Sequence, residues 1–151
     1  MATTTFLEII RKFDATPQMV FDAFTDRESM KVWWPETTIF DVDLQVGGTW
    51  TIICRDGEKE YVATGEYIEI KAPYNLEYTY SMPQFSDTSD IISIGIRPEG
   101  EGESIMTFIE KGNDIAEELA NLPEGAVSDS EKGWQEGFDL MEKFWSKTIR
   151  S

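Results

Sequence analysis

The chain contains no histidine. That absence removes Ser-His-Asp and Cys-His nucleophile arrangements, the usual general base near neutral pH, and nearly all zinc sites. Any acid–base chemistry therefore falls to carboxylates, tyrosines or lysines in unusual surroundings. Cysteine is almost absent too. Cys54 stands alone, so no intramolecular disulfide can form, which fits a reducing cytoplasm. Its place on the apolar face of a predicted strand marks it as a small core residue rather than a reactive thiol. Positive charge is scarce: 13 Lys and Arg stand against 29 Asp and Glu, a net charge of -16. Such a surface repels phosphate backbones and anionic headgroups, and no basic patch with interleaved aromatics offsets it. Nucleic acid and membranes are excluded as partners on that ground. A basic protein is allowed, although solubility alone accounts for the charge. Long apolar runs are missing, with none near the ~20 residues that span a bilayer. The segment from Met1 to Phe6 lacks the basic and apolar regions of a secretion signal, so a cytoplasmic location is expected.

What is present is ordered and aromatic. At 151 residues, 40% hydrophobic and 13% aromatic, the chain predicts one domain over residues 1–151 with a single core. Its most informative segment is the last. Trp134, Phe138, Met141, Trp145 and Ile149 recur in steps of four, three, four and four, one stripe of a 3.6-residue helix, with Gln135 on the solvent side. Ser128 and Glu131 have the spacing of a capping box, so the helix is expected from about Asp129 to Thr148.

Before it, most of the chain reads as strand. Strands are predicted at Thr5–Phe13, Thr38–Asp43, Thr49–Arg55, Tyr61–Ile70, Leu76–Met82, Asp90–Arg97 and Ser104–Glu110, seven in all, separated by glycine and proline turns. Short connections favour antiparallel pairing. Two short helices fall between the first and second strands: one capped by Thr16 with Pro17 at its first position, and one starting at Asp26 and broken by Pro35. A weak helix, Ile115 to Asn121, leads toward the terminal helix. The Tyr61–Ile70 strand changes apolar phase after Gly65, which predicts a bulge or bend there. The expected fold is α+β: a seven-stranded antiparallel sheet curved around a long C-terminal helix.

A sheet gripping a helix leaves room for a pocket between them. Alternation along the strands and the helix stripe nominate its lining: Trp50, Ile52, Tyr78, Tyr80, Ile94, Met106, Trp134, Phe138 and Met141. Trp33 and Trp34 are adjacent and cannot share one side of a helix, so one is expected in the core and the other near the entrance. Tyr61, Tyr67, Tyr78 and Tyr80 supply hydroxyls that can orient a ligand, though each is more often a core ring with its hydroxyl satisfied at the edge. Glu66, Glu69, Glu110 and Asp90 are the potential acid–base residues, but nothing in the sequence places any two of them together, so no catalytic residue is assigned. Asp41 and Asp43 alone make a poor calcium site, Gly47 and Gly48 serve a turn rather than a phosphate cradle, and neither a metal nor a cofactor is expected.

Taken in order, these motifs resemble the START-like, helix-grip superfamily, also called SRPBCC, and within it the branch homologous to the activator of the heat-shock-protein-90 ATPase. The run from Phe13 to Thr16, then Val20 to Asp26, resembles that branch's first strand and helix. The residues Trp33, Trp34 and Pro35 are similar to its aromatic-proline signature. The stretch Asp43 to Gly48 resembles the turn before its third strand, Gly65 to Ile70 with Pro73 to Leu76 its fourth-to-fifth strand junction, and Gly133 with Trp134 the start of its terminal helix. The likeness covers essentially the whole chain and implies a helix-grip fold. One departure stands out: the last strand ends at Glu110, where the family often carries histidine. The eukaryotic activator also has a separate chaperone-binding domain, for which this length leaves no room, so ATPase activation is not carried over.

Three functions follow. The first is a cytoplasmic binding module holding a small apolar or amphipathic molecule between sheet and helix, as a monomer or homodimer. The second is a chaperone-associated or stress-response adaptor. The third is a cyclase- or hydrolase-type enzyme, which the missing histidine and the lack of a recognisable acid–base pair disfavour; fold alone licenses no reaction.

Overall fold

The computed structural model describes residues 6–150 apart from 36, and their side chains apart from those of residue 56 and residues 147–150. The elements run β1 (Phe6–Phe13), α1 (Pro17–Thr25), α2 (Arg27–Met30), β2 (Ile39–Val42), β3 (Thr49–Asp56), β4 (Lys59–Lys71), β5 (Asn75–Tyr80), β6 (Asp90–Pro98), β7 (Ser104–Lys111), α3 (Asn113–Ala120) and α4 (Asp129–Arg150). The seven strands form one curved antiparallel sheet in the order β1-β7-β6-β5-β4-β3-β2. This is the α+β arrangement expected from the strand and turn pattern. The topology also explains the early helices. Strands β1 and β2 occupy opposite edges, and α1 and α2 make the crossing between them.

Local chemistry sets most of the element ends. Thr16 Oγ1 accepts the Met19 amide at 3.2 Å, with Pro17 opening α1 where no amide donor is needed. The Asp26 carboxylate accepts the Ser29 amide at 3.1 Å and starts α2. At α4 only half of the expected capping box forms: Ser128 Oγ accepts the Glu131 amide at 3.1 Å. A second donor is met from α3, whose Glu118 carboxylate accepts the Ser130 amide at 3.1 Å and its hydroxyl at 2.9 Å. Helix α3 begins two residues earlier than its composition predicts. Its cap is remote in sequence: the Asp90 carboxylate on β6 accepts the Asp114 and Ile115 amides at 3.1 and 3.0 Å.

The curvature is concentrated in β4. Its first half pairs with β3, Gly65 opposite Trp50, and its second half with β5. The extra residue falls between Tyr67 and Glu69, slightly beyond Gly65. Gly65 has its own reason to lack a side chain, because a Cβ there would overlap the Thr79 carbonyl oxygen and lie 2.7 Å from Trp50 Nε1.

The α4 stripe faces the sheet. Phe138, Met141 and Trp145 are buried, Trp134 is half-buried, and the Ile149 side chain lies outside the described residues. Gln135 is not a free solvent residue. Arg11, on the inward face of edge strand β1, donates to Gln135 Oε1 at 3.0 Å and to Asp139 Oδ1 at 2.8 Å, and pairs with Glu142 at 3.3 Å. An arginine on the edge strand thus secures the middle of the helix to the sheet.

Candidate functional site

Between the sheet and α4 the space is nearly filled. The cavity there has a volume of about 20 Å³, room for roughly one water molecule. Its wall includes Trp50 and Ile52 of β3, Tyr78 and Tyr80 of β5, and Trp134 of α4, together with Trp33 and Trp34. Phe24, Met30 and Tyr67 complete it. The indole N–H groups of Trp34 and Trp50 are buried without a hydrogen-bond partner among the described residues.

Four of the residues nominated for a pocket lie instead in solid core. Ile94, Met106, Phe138 and Met141 are fully buried, and none reaches the cavity wall. Phe138 does not project into open space; its ring lies 5.3 Å from Phe108, 6.1 Å from Trp33 and 6.2 Å from Phe24. The reason is the α1–α2 crossing, which brings Phe24 and Trp33 over the helix stripe. Trp33 donates its indole N–H to the Ala23 carbonyl at 2.7 Å and packs against α4 at Gly137, where a Cβ would stand 2.5 Å from the ring. Trp33 is the core member of the tryptophan pair. Trp34 is half-exposed, its ring 6.5 Å from Phe40.

The larger space is an open cleft of about 1090 Å³ beside this core. It is bounded by Trp33–Pro35, the segment after β5 from Ser81 to Ser86, α3, and the first turns of α4. Trp33, Trp34, Tyr80 and Trp134 line both spaces and form the partition between them. Cys54 and Tyr61 also reach the cleft; burial pushes the Cys54 thiol up, and Thr38 Oγ1 lies 3.6 Å from its sulfur.

At the floor of the cleft the fold pairs two carboxyl groups that sequence could not bring together. The β6–β7 register sets Ile92 opposite Glu110, so Asp90 and Glu110 are diagonal neighbours on one face. Both are buried, with 1% and 5% of their surfaces exposed, and both line the cleft. Glu110 Oε1 accepts the Trp134 indole N–H at 2.9 Å. Burial, then the hydrogen bond to Asp90, push the Glu110 carboxyl up to about 8, against the opposing pull of the Trp134 donor. At neutral pH the pair therefore keeps a proton. Burial and the charge of Glu110 raise the neighbouring Tyr80 hydroxyl, which stays protonated as well. A carboxyl held in this state can donate a proton or a hydrogen bond near neutrality, or exchange its proton for a cation. Among the described residues, no group of three or more Cys, Asp or Glu is disposed to hold a metal ion.

The raised carboxyl has a measurable consequence. Glu110 binds its proton more tightly in the folded chain than in the unfolded one, so the folded state carries more protons between about pH 4.5 and 8. Stability from this group is present at low pH and is lost as pH rises through that window, with a slope of at most about 1.4 kcal/mol per pH unit. In urea melts across pH, Glu110→Gln should flatten this component of the decline. An identical profile for the variant would place the proton elsewhere.

No curated protein matches the chain. A family model described as "Activator of Hsp90 ATPase homolog 1-like protein" matches residues 14–145. The chain belongs to this family. Solved structures agree on the fold. A Rhodobacter sphaeroides protein superimposes with a TM-score of 0.76 at 19% identity, covering 95% of this chain and 93% of that one. An Arthrobacter aurescens protein gives 0.76 at 19% identity, covering 95% and 87%. PFC0360w, an HSP90 activator from Plasmodium falciparum, gives 0.62 at 17% identity, covering 89% and 88%. Membership of the Hsp90-activator-homologue family, within the START-like helix-grip group, matches the reading of the motifs. Among the described residues no helix is long and apolar enough to cross a membrane.

Proposed function

We propose that the protein is a binding module for a small apolar or amphipathic molecule, held in the open cleft beside Trp134. The observation that carries this reading is the contrast of volumes, about 1090 Å³ in the cleft against about 20 Å³ between sheet and helix. Its aromatic rings, Trp33, Trp34, Tyr61, Tyr80, Phe85 and Trp134, can cover an apolar body, and the polar groups among them can orient it by hydrogen bonds. Native mass spectrometry of protein purified from its host, with tryptophan quenching by a lipid and polyketide panel, tests it. Gly133 supplies a clean variant, because a Cβ there meets nothing within 4 Å and Gly133 lines the cleft. Gly133→Leu should keep the fold and weaken a hit from that panel about tenfold or more, or about 1.4 kcal/mol. Unchanged affinity would move the site out of the cleft.

A second reading, a chaperone-linked adaptor, is supported by the family's description and by the likeness to the Plasmodium activator. With a net charge of -16, a basic partner bound through this surface should elute from immobilised protein as salt rises. No chaperone enriched at low salt would argue against it.

A further inference from the structure

The charge of the cleft is one-sided. Asp90, Glu110, Asp114, Glu118, Asp129 and Glu136 line it, and among the described residues no lysine or arginine does. Some of these acids serve the fold: Asp90 caps α3, Glu118 caps α4, and Asp114 accepts the hydroxyls of Ser86 and Thr88 at 2.7 and 2.9 Å. Neither Asp90 nor Glu110 has an ion-pair partner among the described residues. The α3 amides and the Trp134 indole hydrogen-bond this buried carboxyl pair, but no positive charge among the described residues neutralises it. Around it stand aromatic rings, with Tyr80 and Trp134 5.5 Å apart at the floor and Tyr61 and Phe85 6.1 Å apart on the outer wall. Ring faces attract a cation and cover an apolar body at the same time.

We propose that the cleft selects small organic cations, with an ammonium group seated against the Asp90 and Glu110 carboxyls and an apolar body lying along Trp134, Tyr80 and Phe85. This rests on the reading of the cleft as the ligand site and adds the class of ligand. An anionic ligand meets carboxylates from the strands, α3 and α4, and a neutral one leaves the pair without a counter-charge. Glu110 is faced by Asp90 from β6, by Tyr78 and Tyr80 from β5, by Glu118 from α3 and by Trp134 from α4. No positive group in that set competes with an incoming ammonium. Since the pair keeps a proton up to about pH 8, a bound ammonium takes that proton's place. Binding near pH 7 therefore releases up to about one proton and tightens as pH rises toward 8.

The test is a charge series on one skeleton: naphthylethylammonium, naphthylethanol and naphthylacetate, titrated by calorimetry near pH 7 in phosphate and in Tris, with amide chemical shifts recorded in parallel. We expect the ammonium to bind about tenfold or more tighter than the alcohol, the acetate to bind weakest, and the apparent enthalpy to differ between buffers. Glu110→Gln should remove the buffer dependence and narrow the ammonium–alcohol gap to about threefold or less. The wild-type series decides the matter by itself if that variant does not fold. If ammonium and alcohol shift the amides of Trp134 and Tyr80 with equal affinity, cation selection is overturned while the cleft reading stands. If none of the probes perturbs a residue lining the cleft, both fall together.

Discussion

Gly65→Ala should be among the most damaging single substitutions in this chain, costing about 4 kcal/mol or more in urea melts. The added methyl would overlap the Thr79 carbonyl oxygen and stand 2.7 Å from both its carbon and Trp50 Nε1. Two of those atoms are backbone of the neighbouring strand, so relief requires β4 and β5 to separate where the sheet bends. Nearby pairing is tight: the Thr64 and Ser81 backbones exchange two hydrogen bonds of 2.9 Å, and the Glu66 amide donates to Thr79 Oγ1 at 2.8 Å. The matched control is Gly133→Ala. That glycine sits in α4 with nothing within 4 Å of an added Cβ, so alanine should stabilise by about 0.5–1 kcal/mol through helix propensity. If both alanines behave alike, the close approach at the bend is not what defines position 65.

Trp134→Ala should cost about 3–5 kcal/mol, the range for deleting a large packed aromatic. The indole lies 4.8 Å from the Phe108 ring, 5.5 Å from Tyr80 and 6.4 Å from Phe138. Its N–H is also the donor to Glu110 at 2.9 Å. Trp134→Phe separates the two contributions. It keeps most of the ring contact and removes the donor, so its cost should be about 1–3 kcal/mol. Since the indole N–H holds the Glu110 carboxyl down against burial, its loss should carry the pH-dependent decline in stability to higher pH. Lys143→Ala, on the exposed side of α4, should stay within about 0.5 kcal/mol. A phenylalanine variant with an unshifted pH profile would show that the indole does not govern the buried carboxyl.

Much of this was open to reading before any coordinates. Strand alternation, turn glycines, the Thr16 and Asp26 caps and the Trp134–Trp145 stripe are short-range signals, and each depends on residues within a few positions of one another. The antiparallel order of β2 to β7 followed from short connections, and the crossing helices from their place between β1 and β2. That was enough for the α+β helix-grip fold and for a wall of aromatics facing α4.

What escaped the sequence lies at long range. Asp90 and Glu110 become neighbours through strand register, and Glu118 and Asp90 cap helices whose own sequences lack the donors' partners. Arg11 secures a helix more than a hundred residues away, and Trp33 settles on Gly137 because a glycine leaves it room. Alternation reports which face a residue takes but not how much space remains above that face. Packing of Phe24, Trp33 and Phe138 decided that the interior closes to about 20 Å³ and that the open volume lies at the end of α4. Face and period are local properties of a chain; free volume, and the burial that raises a carboxyl's proton affinity, belong to the assembled core.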